Sequence, residues 1–429
     1  MQQILLAALS SALLAVTASA QTTWYVDLNA TPPGNGSQAS PFTAIQPALS
    51  NAALQNGDTV LVAPGVYAEQ ILFVTGKGVT LLAPGGPAVT RIEPNAPGTH
   101  IPWVVEQNFA IPNCTIEGFT ISGDKVASSV GVRSAGLYVR HCVVIGNKKA
   151  TPGASAFPGA GLLCEWDLFA ENCTVSANFS GTTLGQAGFG LFARDSIFQG
   201  NTVDLDSFTA NNSSISYSLV GNLSTGGIGN IVGNPAFWSS PTRDYHLMST
   251  SPCIDAGNPA SPLDPDGTRA DMGALPFDTT YIPAPFVYCT AKLNSCGQLP
   301  AISFVGAPHA GATSGFTIST TGARQGKPGL LLYSGVGPGQ SSFSGGTLCL
   351  AAQSIRRGIP VVATGGSGGA ACDAVLSIDW AAFASGQLGG TPHPVLTSIG
   401  RRIDVQWWGR DHPTNGVLLS AAIQYGVAP

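Results

Sequence analysis

Four charged residues of alternating sign, Glu117, Arg140, Glu171 and Arg194, recur with the sequence around them, and His141, Asn172 and Asp195 each follow one of the last three. A carboxylate, a cation and an imidazole held in fixed register are the parts of general acid–base chemistry. The candidate bases are Lys125, next to Asp124, together with Arg140 and Lys148. Trp166, between Glu165 and Asp167, and the pair Lys148-Lys149 bracket one long insertion. An indole offers a flat apolar face to a ring-shaped ligand, and two ammonium groups suit an anionic one. In DPDGTRAD, Asp264, Asp266 and Asp271 present carboxylates that can hold calcium, but Gly267 comes too early for an EF-hand loop and no Glu stands at its twelfth position. Each group has a plainer reading: an ion-pair ladder, a solvated loop with a packing Trp, and a turn pinned by Arg269 against these carboxylates. Spacing alone assigns no catalytic residue.

The elements that would position these side chains repeat. LYVRHCVVIGN (137–147), LFAENCTVSAN (168–178), LFARDSIFQGN (191–201) and NSSISYSLVGN (212–222) align on a terminal Asn, and CTIEGFTISGD (114–124) fits with Asp in its place. Within each segment apolar residues alternate, which is strand periodicity, and repeats of this length mark stacked coils that bury a face only against their neighbours. The reading is a parallel β-solenoid. Asp124, Asn147, Asn178, Asn201 and Asn222 then form a ladder of turn residues, since Asn and Asp tolerate left-handed backbone and bond neighbouring turns. Glu117, Arg140, Glu171 and Arg194 alternate up one corner, with coils about 4.8 Å apart. The favoured outcome is an ion-pair ladder and the alternative is a sugar-binding or catalytic face. His141 and Asp195 would stand two coils apart, about 10 Å, too far for a direct acid–base pair. Cys142 and Cys173 share one register position and fill the core. KKATPGASAFPGAGLLCEWD exceeds its counterpart in the next coil and is expected to bulge as a loop.

Composition agrees with a β-rich chain. Of 429 residues 44% are hydrophobic and only 10% charged, with 54 Gly and 31 Pro, so the surface is built from Ser, Thr, Asn and Gly. A net charge of −5 without a Lys/Arg run leaves no footprint for nucleic acid. MQQILLAALSSALLAVTASA reads as a secretory signal cleaved before Gln21, with an uncleaved anchor as the alternative, and no later segment is long and apolar enough to span a membrane. Nine Cys leave at least one unpaired within the chain, and no CxxC or Cys/His cluster has zinc spacing. Near the start, SPFTAIQPALSNAAL (40–54) predicts a short helix with a Ser cap and Pro at its first position, covering the first coil, and GDTVLVAPGVYAEQILF (57–73) predicts a strand around Val60 and Val62. After TTYIPAPFV the texture changes. GFTIST, PGLLLYSG and RIDVQWW predict a second all-β unit, most simply a sandwich, in which Cys289–Cys296 and Cys349–Cys372 are the expected disulfides.

WYVDLNATPPGNGSQASPFTAIQPALSNAALQNGDTVLVAPGVYAE resembles the N-terminal cap of pectate-lyase-like right-handed parallel β-helix proteins, and NPAFWSSPTRDYHLMSTSPCIDAGNPASPLDPDGTRADMGALPF (234–277) resembles the closing segment of exported bacterial members. The resemblance covers residues 24–277. It implies an all-β chain: signal peptide 1–20, right-handed parallel β-helix (solenoid) with caps 21–280, linker 281–287, and a smaller β-sandwich-like domain 288–429 similar to modules on secreted bacterial proteins. The expected location is secreted or at the bacterial cell surface. The expected partner is polysaccharide or another surface polymer, with no nucleic acid and no membrane span once the signal is removed. The leading expectation is binding without evident turnover; the alternatives are a lyase or glycoside hydrolase acting on acidic glycans, and a structural or adhesion protein. Lyases of this family combine a Lys or Arg base with acidic residues holding calcium, because removing a proton beside a carboxylate requires that charge to be neutralised. Neither a compact carboxylate cluster beside a base nor the paired aspartates of the family's galacturonan hydrolases is visible on the repeats. The candidates therefore remain Lys125, Arg140 and Lys148 as bases, Trp166, Lys148 and Lys149 as substrate contacts, and Asp264, Asp266 and Asp271 for calcium.

Overall fold

The computed structural model describes residues 21–73, 76–97, 99, 101, 103–107, 114–149, 159–184, 190–205, 213–221, 227–368, 371–411 and 416–429. The signal-like residues 1–20, Asn222 and most of the long insertion lie outside them. The chain packs as two units. One holds the described residues up to Gly233 with Met272–Ala274; the other holds Asn234–Asp271 and Leu275–Pro429.

The first unit is a parallel β-helix, right-handed as parallel crossovers are. Among the described residues its coils contribute strands to three parallel sheets. The first sheet runs from Thr23–Val26 through Thr115–Glu117, Tyr138–Arg140, Leu168–Glu171 and Leu191–Arg194 to Ser214–Ser216; the second includes Thr120–Ser122, Val143–Ile145, Thr174–Ser176 and Ile197–Phe198; the third includes Ile71–Phe73, Val105–Gln107, Val132–Ser134, Ala160–Cys164 and Ser180–Leu184. Strand alternation turns one residue of each rung inward. Ile116, Val139, Ala170, Ala193 and Ile215 stack in register from the first sheet, and Ile121, Val144, Val175 and Phe198 from the second, all buried.

Two corners hold the coils together. Between the first and second sheets the chain turns in two residues: Gly118-Phe119, His141-Cys142, Asn172-Cys173, Asp195-Ser196 and Tyr217-Ser218. The first of each pair has positive φ, 84° at Gly118 and 46–52° in the others, and the second is fully buried. His141, Asn172 and Asp195 are therefore corner residues in left-handed backbone, where Asn and Asp are tolerated. In the later coils the second residue is compact and can satisfy the coil before it: Ser196 Oγ accepts the Cys173 N–H and Ser218 Oγ accepts the Ser196 N–H, each within 3.1 Å.

At the turn leaving the second sheet, Asn178 Oδ1 accepts the backbone N–H of Asn147 at 3.1 Å and its side-chain amide at 2.8 Å. Asn201 Oδ1 repeats both bonds to Asn178 at 3.0 Å. The left-handed residue is the one before each Asn: Gly146, Ala177 and Gly200. A glycine column makes room for the ladder, because a Cβ on Gly161 would stand 2.8 Å from Asn178 Nδ2 and one on Gly181 2.9 Å from Asn201 Nδ2. The ends differ from the sequence alignment. Ser129 Oγ, rather than Asp124, donates to Asn147 Oδ1, and Asp204 Oδ1 accepts from Asn201. The last aligned segment is slipped by one: Arg194 faces Ser216 and Ile197 faces Leu219. The aligned register would have turned Ile215 outward, whereas it is 4% exposed in the core.

The N-terminal helix is shorter than expected, Ile45–Leu49, with Ala44 at its cap position. Ser40 does not cap it. The Glu69 carboxylate, which follows the first coil's second strand, accepts the N–H groups of Ile45 and Gln46 at 2.7 and 2.9 Å.

In the second unit a six-stranded antiparallel sheet built on Pro328–Ser334, Arg402–Arg410 and Val417–Gly426 shares a core with the three-stranded sheet Ile302–Val305, Thr317–Ala323 and Ala374–Asp379. This is the sandwich that the alternating stretches predict. Residues 234–271 join it: Gln424 Nε2 donates to Trp238 O at 3.2 Å and Arg402 to Phe237 O at 3.3 Å. The disulfides are Cys289–Cys349 and Cys296–Cys372, each with Cα atoms 6.1 Å apart, and not the pairs that sequence proximity suggested. Cys349 lies beside Tyr288, whose hydroxyl donates to Cys349 O, while Cys372 lies against Ser295. The remaining Cys114, Cys142, Cys164, Cys173 and Cys253 are buried thiols. Among the described residues no helix is long and apolar enough to cross a membrane.

Asn178→Ala removes two acceptor contacts and strands the buried Asn147 N–H, so we expect a loss of about 2–4 kcal/mol. A lowered unfolding midpoint in denaturant checks this, and Asn178→Asp should not restore it, since a carboxylate cannot donate to Val144 O and Ser176 O.

Candidate functional site

On the outer face of the third sheet, Val132 and Ser134 are buried and Arg133 points out between them. Its neighbour one coil back is Glu106, and Glu165 follows the next strand. Arg133 Nε donates to Glu165 Oε2 at 2.8 Å, a second guanidinium nitrogen contacts Glu106 Oε1, and the guanidinium stands 4.7 Å from the centre of the Trp103 ring. Both carboxylates are buried, 8% exposed, and Trp166 beside them is 42% exposed. Asp167, on its other side, uses Oδ1 to accept the Gly190 N–H.

This is also the sheet at which the coils vary in length. Residues 93–104, 123–131 and 146–159 lead into successive strands and residues 108–114 lead out, whereas from Thr115 onward the corner between the first and second sheets keeps two residues in each coil. A constant corner sustains the scaffold, and variable connections are where a solenoid places recognition. Sequence reasoning missed Glu106 and Arg133 because they fall outside the aligned segments. The available signal was the matching strand pattern of Val105-Glu106-Gln107 and Val132-Arg133-Ser134.

The anticipated ladder on the first sheet joins Arg140, Glu171 and Arg194, while Glu117 pairs with His141 instead of Arg140. Arg140 Nε donates to Glu171 Oε2 at 3.0 Å, Arg194 reaches Glu171 Oε1 at 3.2 Å, and Glu117 meets His141 Nδ1 at 3.5 Å. The His141 contact, ahead of burial, holds the Glu117 carboxyl below its ordinary range. Beside the charges Tyr138, Phe169 and Phe192 stack with centroids 4.5 and 5.2 Å apart, a feature the second position of each repeat carried. Their faces cover one another, so they offer edges rather than faces to a ligand.

Of the candidate bases, Lys125 pairs with Glu93 Oε2 at 3.0 Å, Arg140 belongs to the ladder, and Lys148 Nζ donates to Asp124 O at 3.0 Å. Lys149 lies 5.3 Å from the Phe179 ring centre. Lys148 and Lys149 precede the strand Ala160–Cys164 and Trp166 follows it, so about 16 Å of strand separates the two ends of that expected contact surface. Burial works to raise the Glu93 carboxyl, but Lys125, Arg91 and Ser122 outweigh it and leave it below the usual range.

The calcium candidates are engaged by backbone. Asp264 Oδ2 accepts the Asp271 N–H, Asp271 accepts those of Asp255 and Phe277, and Asp266 accepts from Thr268. Arg269 Nε donates to Gly257 O at 2.6 Å. No group of three or more metal-ligating side chains is assembled among the described residues. Burial, and then the charge of Asp271, pushes the Asp264 carboxyl up to about 6.

Two outcomes follow from these contacts. Arg133→Ala leaves two buried carboxylates without their shared cation and should cost about 3–5 kcal/mol in thermal or denaturant unfolding at neutral pH. Because Asp264 binds its proton more tightly folded than unfolded, its contribution favours the fold at low pH and is lost as pH rises through about 6. Asp264→Asn should therefore gain stability relative to the parent between about pH 4 and about pH 7, read from melting temperatures across that range.

No family model and no curated protein matches this chain. Among solved structures it is similar to the pectate lyase Pel9A, at 14% identity over 61% of this chain and 97% of that one, with a TM-score of 0.30. A pectin methylesterase from carrot is similar at 11% identity over 51% of this chain and 80% of that one, TM-score 0.32. A pectin methylesterase in complex with a hexasaccharide is similar at 15% identity over 58% and 75%, TM-score 0.28, and no residue roles carry over from any of them.

Proposed function

We propose that the β-helix unit is an exported polysaccharide-binding module that holds its ligand along the outer face of the third sheet without turning it over. The observation that carries this reading is the exposed Trp166 beside the Glu165–Arg133–Glu106 trio, on the sheet where connection length varies. An exposed indole supplies a stacking platform, and the trio supplies fixed hydrogen-bonding groups around it. With two carboxylates to one guanidinium, this trio carries net negative charge, which favours neutral over acidic polysaccharide. Export is supported by the apolar leader and by two disulfides that an oxidising compartment sustains.

Binding rather than chemistry fits the engaged state of the polar groups. Lys125 and Arg140 are committed to carboxylates, and Glu106 and Glu165 converge on one guanidinium, occupying oxygens that an acid–base pair would use. Purified residues 21–429 should bind at least one neutral glucan, mannan or xylan saturably, more tightly than polygalacturonate. Trp166→Ala should weaken this about tenfold, the equivalent of ~1.4 kcal/mol of stacking. New unsaturated or reducing ends in the same samples would make the face an active site. Absence of binding across the panel would defeat the reading in favour of a structural role.

A further inference from the structure

The second unit carries a cavity that polysaccharide binding does not use. It has a volume of about 580 Å³ and lies between the outer face of the six-stranded sheet and the hairpin Pro338–Phe343/Gly346–Leu350. This size falls within the range of small-ligand pockets. The sheet builds it by alternation: Leu331 and Trp407 point into the sandwich core, while Leu330, Leu332 and Trp408 point the other way. Leu348 and Ile355 complete an apolar lining.

Polarity is confined to the rim. Arg357, Arg410 and Ser344 line the cavity and are exposed, whereas Leu332, Leu348 and Val417 are each 7% exposed. The Arg410 guanidinium lies 5.4 Å from the centre of the Trp408 ring, which fixes it at the edge of the apolar wall. Among the described residues neither Arg357 nor Arg410 has a carboxylate within ion-pair distance.

We propose that this cavity binds an aliphatic carboxylate, its chain against Leu330, Leu332, Leu348 and Ile355 and its head group at Arg357 and Arg410. The apolar lining gains from burying a chain, and the two guanidinium groups select an anion because their own charges have no internal partner. A cationic amphiphile of the same length meets the same wall but is repelled at the mouth. The site is independent of the third-sheet face of the other unit.

Calorimetric titration of residues 21–429 with decanoate tests this, with decyltrimethylammonium and acetate as comparisons. One decanoate should bind per chain, while acetate, which lacks the chain, should not bind measurably. Arg357→Glu with Arg410→Glu should weaken decanoate binding at least tenfold, and because both side chains are exposed the fold should be retained, as circular dichroism verifies. Leu348→Glu should abolish binding. No saturable decanoate binding, equal binding of the cationic amphiphile, or indifference to the double substitution would overturn the proposal.

Discussion

Every coil of the first unit must satisfy backbone amides that its corners bury, and the partners come from the neighbouring coil. The Asn147–Asn178–Asn201 ladder does this at one corner, and the Cys173–Ser196–Ser218 column does it at another. Each buried bond contributes about 1 kcal/mol when made and costs about 1–3 kcal/mol when one partner is left stranded. The exposed ion pairs of Arg140, Glu171 and Arg194 contribute about 0–1 kcal/mol each. Register is therefore fixed from inside, and the outer ladder follows it.

Glycine has a specific part in that constraint. Gly131, Gly161 and Gly181 stack in register because the Asn amides occupy the space their Cβ atoms would fill. Once the corners are fixed, alternation decides the rest: Ile116, Val139 and Ala170 turn inward, Glu117, Arg140 and Glu171 turn outward, and on the third sheet Glu106 and Arg133 come to lie side by side. The scaffold thus leaves the third sheet free to vary in its connections, and the exposed Trp166 stands there.

The first sheet was legible in the sequence because from Thr115 onward the corner after each of its strands keeps two residues, so Glu117, Arg140, Glu171 and Arg194 could be aligned. The last rung was misread by one residue because its spacing changes and Asp204 replaces an Asn as the ladder's terminus. Glu106 and Arg133 were hidden because the strands carrying them are offset by connections of unequal length. Long-range partners were the least visible. Glu69 caps a helix 24 residues before it, and Cys289 bridges to Cys349 across 60 residues, neither of which local pattern encodes.

On the proposed function, ligand occupies the third-sheet face and not the stacked rings of the first sheet. Hydroxyl-radical footprinting of residues 21–429, with and without a bound neutral oligosaccharide, measures this directly. Trp166 should be protected, with Tyr138, Phe169 and Phe192 unchanged. Protection of those three rings with Trp166 unchanged would contradict it.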